Sequence, residues 1–284
     1  MRLHLLGFYE LADRQCRDCL QAYLKEGSPE DLHDLRLGVK KLRVLLGFLA
    51  PWDEVLMEKS VAFLELSDMV FRESGRSRDV FLQQVYLGKM ELSLKEPYPE
   101  YHRYLNALAL RRERQLVEVL HQLPLATQLP GAHPLTRGLQ GVSGRAMERR
   151  FRVEAELRYG EFLYHCGLWD GSGEPEHLHT SRRELKALMY LLQMAGKSKA
   201  KVGGRFRSAS VLKQIEQVIG TWHDRSEALH RLMLFMKHEP PIKKRRSAYE
   251  RLECHMADLA AIALGEAIRV AKRVSEDRSG PVLR

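Results

Sequence analysis

The chain repeats itself, and a repeat of this length admits few folds. LHDLRLGVKKLRVLL (32–46) aligns with LHTSRRELKALMYLL (178–192), so His33 and His179 stand 146 residues apart. Gly75-Arg76-Ser77-Arg78-Asp79 aligns with Gly220-Thr221-Trp222-His223-Asp224 at an offset of 145, and Glu96-Pro97 with Glu239-Pro240 at 143. Three anchors in one order, at nearly one spacing, point to an internal duplication.

Within each copy, apolar residues recur at helical spacing and strand signals are nearly absent. Pro, Gly and Ser punctuate the pattern. The expected fold is therefore all-α, with helical bundles of four to five helices at 1–128 and 129–284 that together make one domain. Helices are predicted at about 3–26, 29–50, 53–73, 77–94 and 97–123. Beyond a linker at Pro124 to Pro134, more follow: one ending near Cys166, then 175–195, 210–220, 223–237 and 241–274. Residues 196–210 read as a polar connection, and the stretch from Ser275 as a frayed tail. A duplicated unit often leaves a pseudo-symmetric groove between its copies, and that groove is the expected ligand site.

Charge narrows the ligand. Lys plus Arg outnumber Asp plus Glu by 46 to 37, a net charge of +9, which favours nucleic acid, anionic lipid or phosphate polymers as partners. The longest apolar run, Val44 to Ala50, stops at Pro51, far short of the ~18 residues of a membrane span. The opening MRLHLLGFYELADR carries no targeting pattern. Four cysteines, Cys16, Cys19, Cys166 and Cys254, are too few for a disulfide framework, and a lone CxxC does not supply the four ligands of a zinc site. A reducing, cytoplasmic setting is expected, without membrane attachment.

The feature that carries chemistry is His33-x-x-Arg36-x-x-x-Lys40-x-x-Arg43. At about 100° per residue these four side chains fall in a sector of ~80° and extend over ~15 Å of helix. No carboxylate is expected to share that row, and Leu35, Leu42, Leu46 and Leu49 form a separate apolar stripe for packing. Such a row is electrostatically unfavourable until an anion joins it. Phosphate suits it: Arg offers a planar donor fork, Lys a point charge, and His a donor that charges near neutral pH. The second copy repeats the row with His179, Arg182 and Lys186, but Met189 stands at the fourth place, which predicts a weaker site there. Arg78-Asp79 and His223-Asp224 recur at matched positions after a glycine, read as lying near helix starts. There Asp would cap the helix or orient a neighbouring cation, while Arg78 and His223 reach the ligand.

At HDLRLGVKKLR (33–43), GRSRD (75–79), LHTSRRELKALMYLL (178–192) and IGTWHD (219–224) the sequence resembles the CHAD family, the conserved histidine α-helical domain. The resemblance covers nearly the whole chain. It implies two bundles related by a pseudo-twofold axis, with a basic central groove that binds inorganic polyphosphate, and association with polyphosphate granules and their proteins. Carried over position by position, it makes His33, Arg36, Lys40, Arg43, Arg78, His179, Arg182, Lys186 and His223 the binding residues. Relatives are often fused to a triphosphatase domain with an ExExK strand. Here the nearest string, Glu154-Ala155-Glu156-Leu157-Arg158, lies in a helical pattern and ends in Arg.

Three further readings stand beside polyphosphate binding. Lys243-Lys244-Arg245-Arg246 and the basic stretch from Lys197 to Arg207 suit a nucleic-acid binder, although no nucleic-acid-binding signature is present. A docking module for an acidic protein fits the same charge. A metal-dependent enzyme of phosphate chemistry is disfavoured, because His33 and His179 sit among cations rather than carboxylates. No catalytic residue, metal ligand or cofactor is assigned.

Overall fold

The computed structural model describes residues 1–122, 132–202 and 205–276. Nearly all of them are helical: α1 (Arg2–Glu26), α2 (Pro29–Leu49), α3 (Glu54–Leu94), α4 (Pro99–Gln122), α5 (Ala132–Gln140), α6 (Gly144–Ser172), α7 (Pro175–Met194), α8 (Ala209–His238) and α9 (Arg246–Glu276). The all-α expectation holds. Most of the Pro124–Pro134 linker and most of the expected tail lie outside the described residues. No described helix is long and apolar enough to cross a membrane.

Local chemistry sets the first helix ends. Gly27 takes a left-handed φ of 68° after α1 and its N–H bonds to the Tyr23 carbonyl, a conformation that costs a Cβ-bearing residue more. The Ser28 hydroxyl then accepts from the Glu30 and Asp31 N–H groups, with Pro29 in the first turn of α2. Asp53 caps α3 through the Leu56 N–H at 2.9 Å.

Three expectations need correction. The breaks predicted near Ser74-Gly75 and Gly220-Thr221 do not occur: α3 is one helix of 41 residues and α8 one of 30. A single glycine costs a helix only about 1 kcal/mol, which packing against a neighbour outweighs. The polar segment after α7 also forms a hairpin, β1 (Lys199–Val202) antiparallel to β2 (Arg205–Ser208), with Lys199 opposite Ser208 and Val202 opposite Arg205. Along β1, Lys199 and Lys201 are exposed while Ala200 and Val202 are buried, the period of two of a half-buried strand.

The chain forms two compact units, which a single cut at 128/129 does not separate. Unit one holds Met1–Gly88, His102–Arg149 and Met194–Gly196; unit two holds Lys89–Tyr101, Arg150–Gln193 and Lys197–Arg284. Packing explains the exchange. In unit two, Tyr98 lies edge-on to Tyr249 at 5.2 Å and Tyr101 lies 4.8 Å from Phe235. The Tyr249 hydroxyl accepts from the Tyr101 N–H and donates to Glu100, both at 3.1 Å, and Arg251 forks onto Glu96. In unit one, α5 buries Leu135 and Leu139, and Arg2 donates to the Val142 carbonyl at 3.0 Å. There α1 and α2 approach closely at Gly38, where a Cβ would stand 3.3 Å from the Ala12 carbonyl oxygen.

Candidate anion-binding site

In unit one the cationic row lies on α2 and faces α3. Arg36 and Arg43 are seven residues apart, and so are Ser67 and Ser74 on α3. With the two helices running in opposite directions, the arginine–serine pairing repeats at that interval. Arg36 Nη1 donates to the Ser74 hydroxyl at 2.6 Å and to the Phe71 carbonyl at 2.8 Å. Arg43 Nη1 donates to the Ser67 hydroxyl at 2.6 Å. Both serines are fully buried, and their small side chains leave room for the guanidinium groups.

Phe71 stands at the middle of the row. Its ring centre lies 5.0 Å from Arg36 Cζ, 5.6 Å from Lys40 Nζ and 5.4 Å from Arg43 Cζ. An aromatic face attracts cations through its quadrupole but carries no net charge. Three cations are thus gathered on a ring that cancels none of their charge. The row is not free of carboxylates, however, because Arg43 pairs with Asp68 from α3. That carboxylate is 70% exposed, the setting in which an ion pair contributes about 0–1 kcal/mol and is readily given up.

Arg78 belongs to the same neighbourhood as His33. Burial lowers the His33 pKa, and the charge of Arg78 is the next cause, followed by Lys40 and Arg36 with Asp34 opposing. Burial likewise lowers the pKa of Arg36, opposed by Asp79 and assisted by Arg78.

Unit two holds its row differently. Arg182 Nε and Lys186 Nζ both lie 3.0 Å from one oxygen of Glu216, which is only 13% exposed. Burial works against the charge on Glu216, but Lys186 and Arg182 outweigh it and hold the carboxyl below its usual range. Next to this group, the His179 ring meets the His223 ring edge-on at 4.4 Å and lies 5.4 Å from Trp222. His223 Nδ1 is buried without a hydrogen-bond partner. Burial first, then His179, Arg182 and Lys186, push the His223 pKa down to about 4, so the ring is neutral at physiological pH.

The two rows share a plan. A Cβ on Gly75 would come within 3.4 Å of the Arg36 guanidinium, and one on Gly220 within 2.8 Å of the Arg182 guanidinium. Four residues before these glycines stand Phe71 and Glu216. The same place therefore carries a ring in one unit and a carboxylate in the other.

The fold brings His33, Arg36, Lys40, Arg43 and Arg78 together in unit one, and His179, Arg182, Lys186 and His223 in unit two. The capping role expected of Asp79 and Asp224 is overturned, since both lie inside uninterrupted helices. Sequence reasoning missed Phe71, Ser67, Ser74 and Glu216. The seven-residue spacing shared by the arginines and serines, and the place one turn before each aligned glycine, were the signals that could have found them. It also missed a possible ligand set, for donor atoms of His179, His223 and Glu227 lie within 4.8 Å of one another. The charges of Arg182 and Lys186 beside them oppose a divalent cation there.

The family model for the CHAD domain matches residues 11–233, a span that contains both rows and both glycines. The chain belongs to the CHAD family. Its fold is similar to the crystal structure of the CHAD domain from the plant Ricinus communis, with a TM-score of 0.66 over 96% of this chain and 91% of that one. Sequence identity to that CHAD domain is 16%, so the likeness is one of fold alone. No curated protein matches this CHAD chain.

Proposed function

We propose that this CHAD protein binds inorganic polyphosphate without catalysing its turnover, and that the α2 row of unit one is its principal site. The observation that carries the reading is the gathering of Arg36, Lys40 and Arg43 around Phe71, a ring without net charge, with the Arg43 partner Asp68 largely exposed. Successive phosphates spaced along a chain match cations spaced along a helix, and two arginines offer the donor forks that phosphate oxygens accept. His33, kept mostly neutral by burial and by Arg78, takes up a proton as phosphate arrives and adds a donor. The net charge of +9 draws the polymer in, and released counterions supply much of the affinity. On this reading the protein works in the cytoplasm, with polyphosphate granules as its destination.

The test is titration of labelled polyphosphate and of a mixed-sequence oligonucleotide of equal charge against the wild-type protein and Arg36→Glu/Lys40→Glu. Tighter binding of polyphosphate, lost in the double variant with helix content intact, supports the reading. Equal affinity for the oligonucleotide transfers it to nucleic acid, and an unimpaired double variant removes the site from unit one.

A further inference from the structure

In unit two, two cations of the row converge on one oxygen of the half-buried Glu216 carboxylate, where the aligned place in unit one carries the Phe71 ring. Arg182 and Lys186 are 20% and 31% exposed, so both can be reached from solvent, and Glu216 lies beneath them. The Glu216 oxygen occupies the place that a phosphate oxygen would take between a guanidinium and an ammonium group. Its contacts at 3.0 Å to each are those of a charge-assisted hydrogen-bonding pair. Glu216 is also built in: it projects from the third turn of α8, one turn before the glycine that admits the Arg182 guanidinium.

We propose that Glu216 is an internal stand-in for the ligand, a specificity-determining residue that reserves the second row for multiply charged phosphate chains. The proposal rests on the reading that this protein binds inorganic polyphosphate, and it extends that reading to the second row. An isolated phosphate brings little more charge than the carboxylate it must displace, and it gains little. A polyphosphate chain carries more charge and offers several neighbouring phosphates to the same two cations, so it can share or displace Glu216 there. The second row then strengthens the binding of long chains and leaves short anions unretained.

The experiment reads row two alone, in an Arg36→Ala/Lys40→Ala background, with inorganic tripolyphosphate as the probe. Glu216→Gln keeps the shape and hydrogen-bonding capacity of the side chain and removes its charge. Expected is a gain of about tenfold or more in tripolyphosphate affinity on Glu216→Gln, with a salt slope steeper by about one unit per cation released. Glu216→Asp keeps the charge and should remain close to the parent. Because Glu216→Gln leaves two half-buried cations without their counter-charge, melting temperature is followed in parallel. It should fall without ligand and rise further than the parent's when tripolyphosphate is added. Unchanged or weaker binding in Glu216→Gln overturns the proposal, and weaker binding makes Glu216 a positioning residue that aims the two cations. Failure of the wild-type protein to bind tripolyphosphate or polyphosphate at all strikes instead at the reading beneath it.

Discussion

The guanidinium of Arg182 lies where the side chain of any residue but glycine at position 220 would begin, 2.8 Å from the place of a Cβ. At Gly75 the Arg36 guanidinium stands back to 3.4 Å, an ordinary contact. The two glycines therefore differ in tolerance. Gly75→Ala should leave the fold intact and raise stability by about 0.5–1 kcal/mol, the usual gain of alanine inside a helix. Gly220→Ala should forfeit that gain, because Arg182 must move and loosen its pairing with Glu216. Thermal unfolding of the two variants side by side checks this, and a Gly220→Ala protein as stable as Gly75→Ala would contradict it.

Exchanging the residues one turn earlier tests the electrostatic contrast between the rows. Phe71→Glu places a carboxylate among Arg36, Lys40 and Arg43, converting row one to the arrangement of row two. Polyphosphate affinity should fall by about tenfold or more, with a shallower salt slope. Phe71→Leu removes the ring without adding charge and should cost less, since each exposed cation–ring contact contributes about 0.5–1 kcal/mol. Isothermal titration at two salt concentrations separates the two effects.

Acid should weaken the fold through His223. Its pKa is about 4 in the folded chain, against an ordinary value of about 6.5 when unfolded. Above pH 6.5 both states hold it neutral and its contribution is complete. Between 6.5 and 4 the unfolded chain binds a proton that the folded chain refuses, so stability falls with pH across that window. His223→Gln should flatten this part of the profile. Urea unfolding at half-unit pH steps measures it, and an unchanged slope in the variant would count against the assignment.

The contact between Tyr249 and α4 sets a further expectation. Tyr249→Phe removes the acceptor of the Tyr101 N–H and the hydroxyl that bonds Glu100, while the ring packing remains. Leaving a buried donor unsatisfied costs about 1–3 kcal/mol, which should appear as a lower melting temperature. Polyphosphate affinity should not change, since no row residue is touched.

Much of the candidate site was legible in the sequence. His33, Arg36, Lys40 and Arg43 share a face because helical geometry leaves no alternative once α2 forms, and the Ser28-Pro29 start announces α2. The second row followed from alignment of the two copies. Asp68 and Glu216 could not be read the same way. Each lies on a neighbouring helix, about 25 to 34 residues from its arginine in sequence, so no spacing rule within one helix reaches it. The helix breaks placed at Gly75 and Gly220 failed for a related reason. Local propensity counts the cost of a glycine, but it does not see the arginine that packs against it.

The sequence by itself determined an all-helical chain built twice over, the residues of each cationic row, and an excess of positive charge seeking an anion. These depend on periodicity and composition, which are properties of the chain taken in order. Only the tertiary structure decided which cations meet a carboxylate and which meet a ring, how residues 89–101 join the second unit, and that 199–208 pair as a hairpin. Those outcomes turn on which side chains meet across helices and strands, and the balance of burial, pairing and repulsion there exists only once the elements have packed.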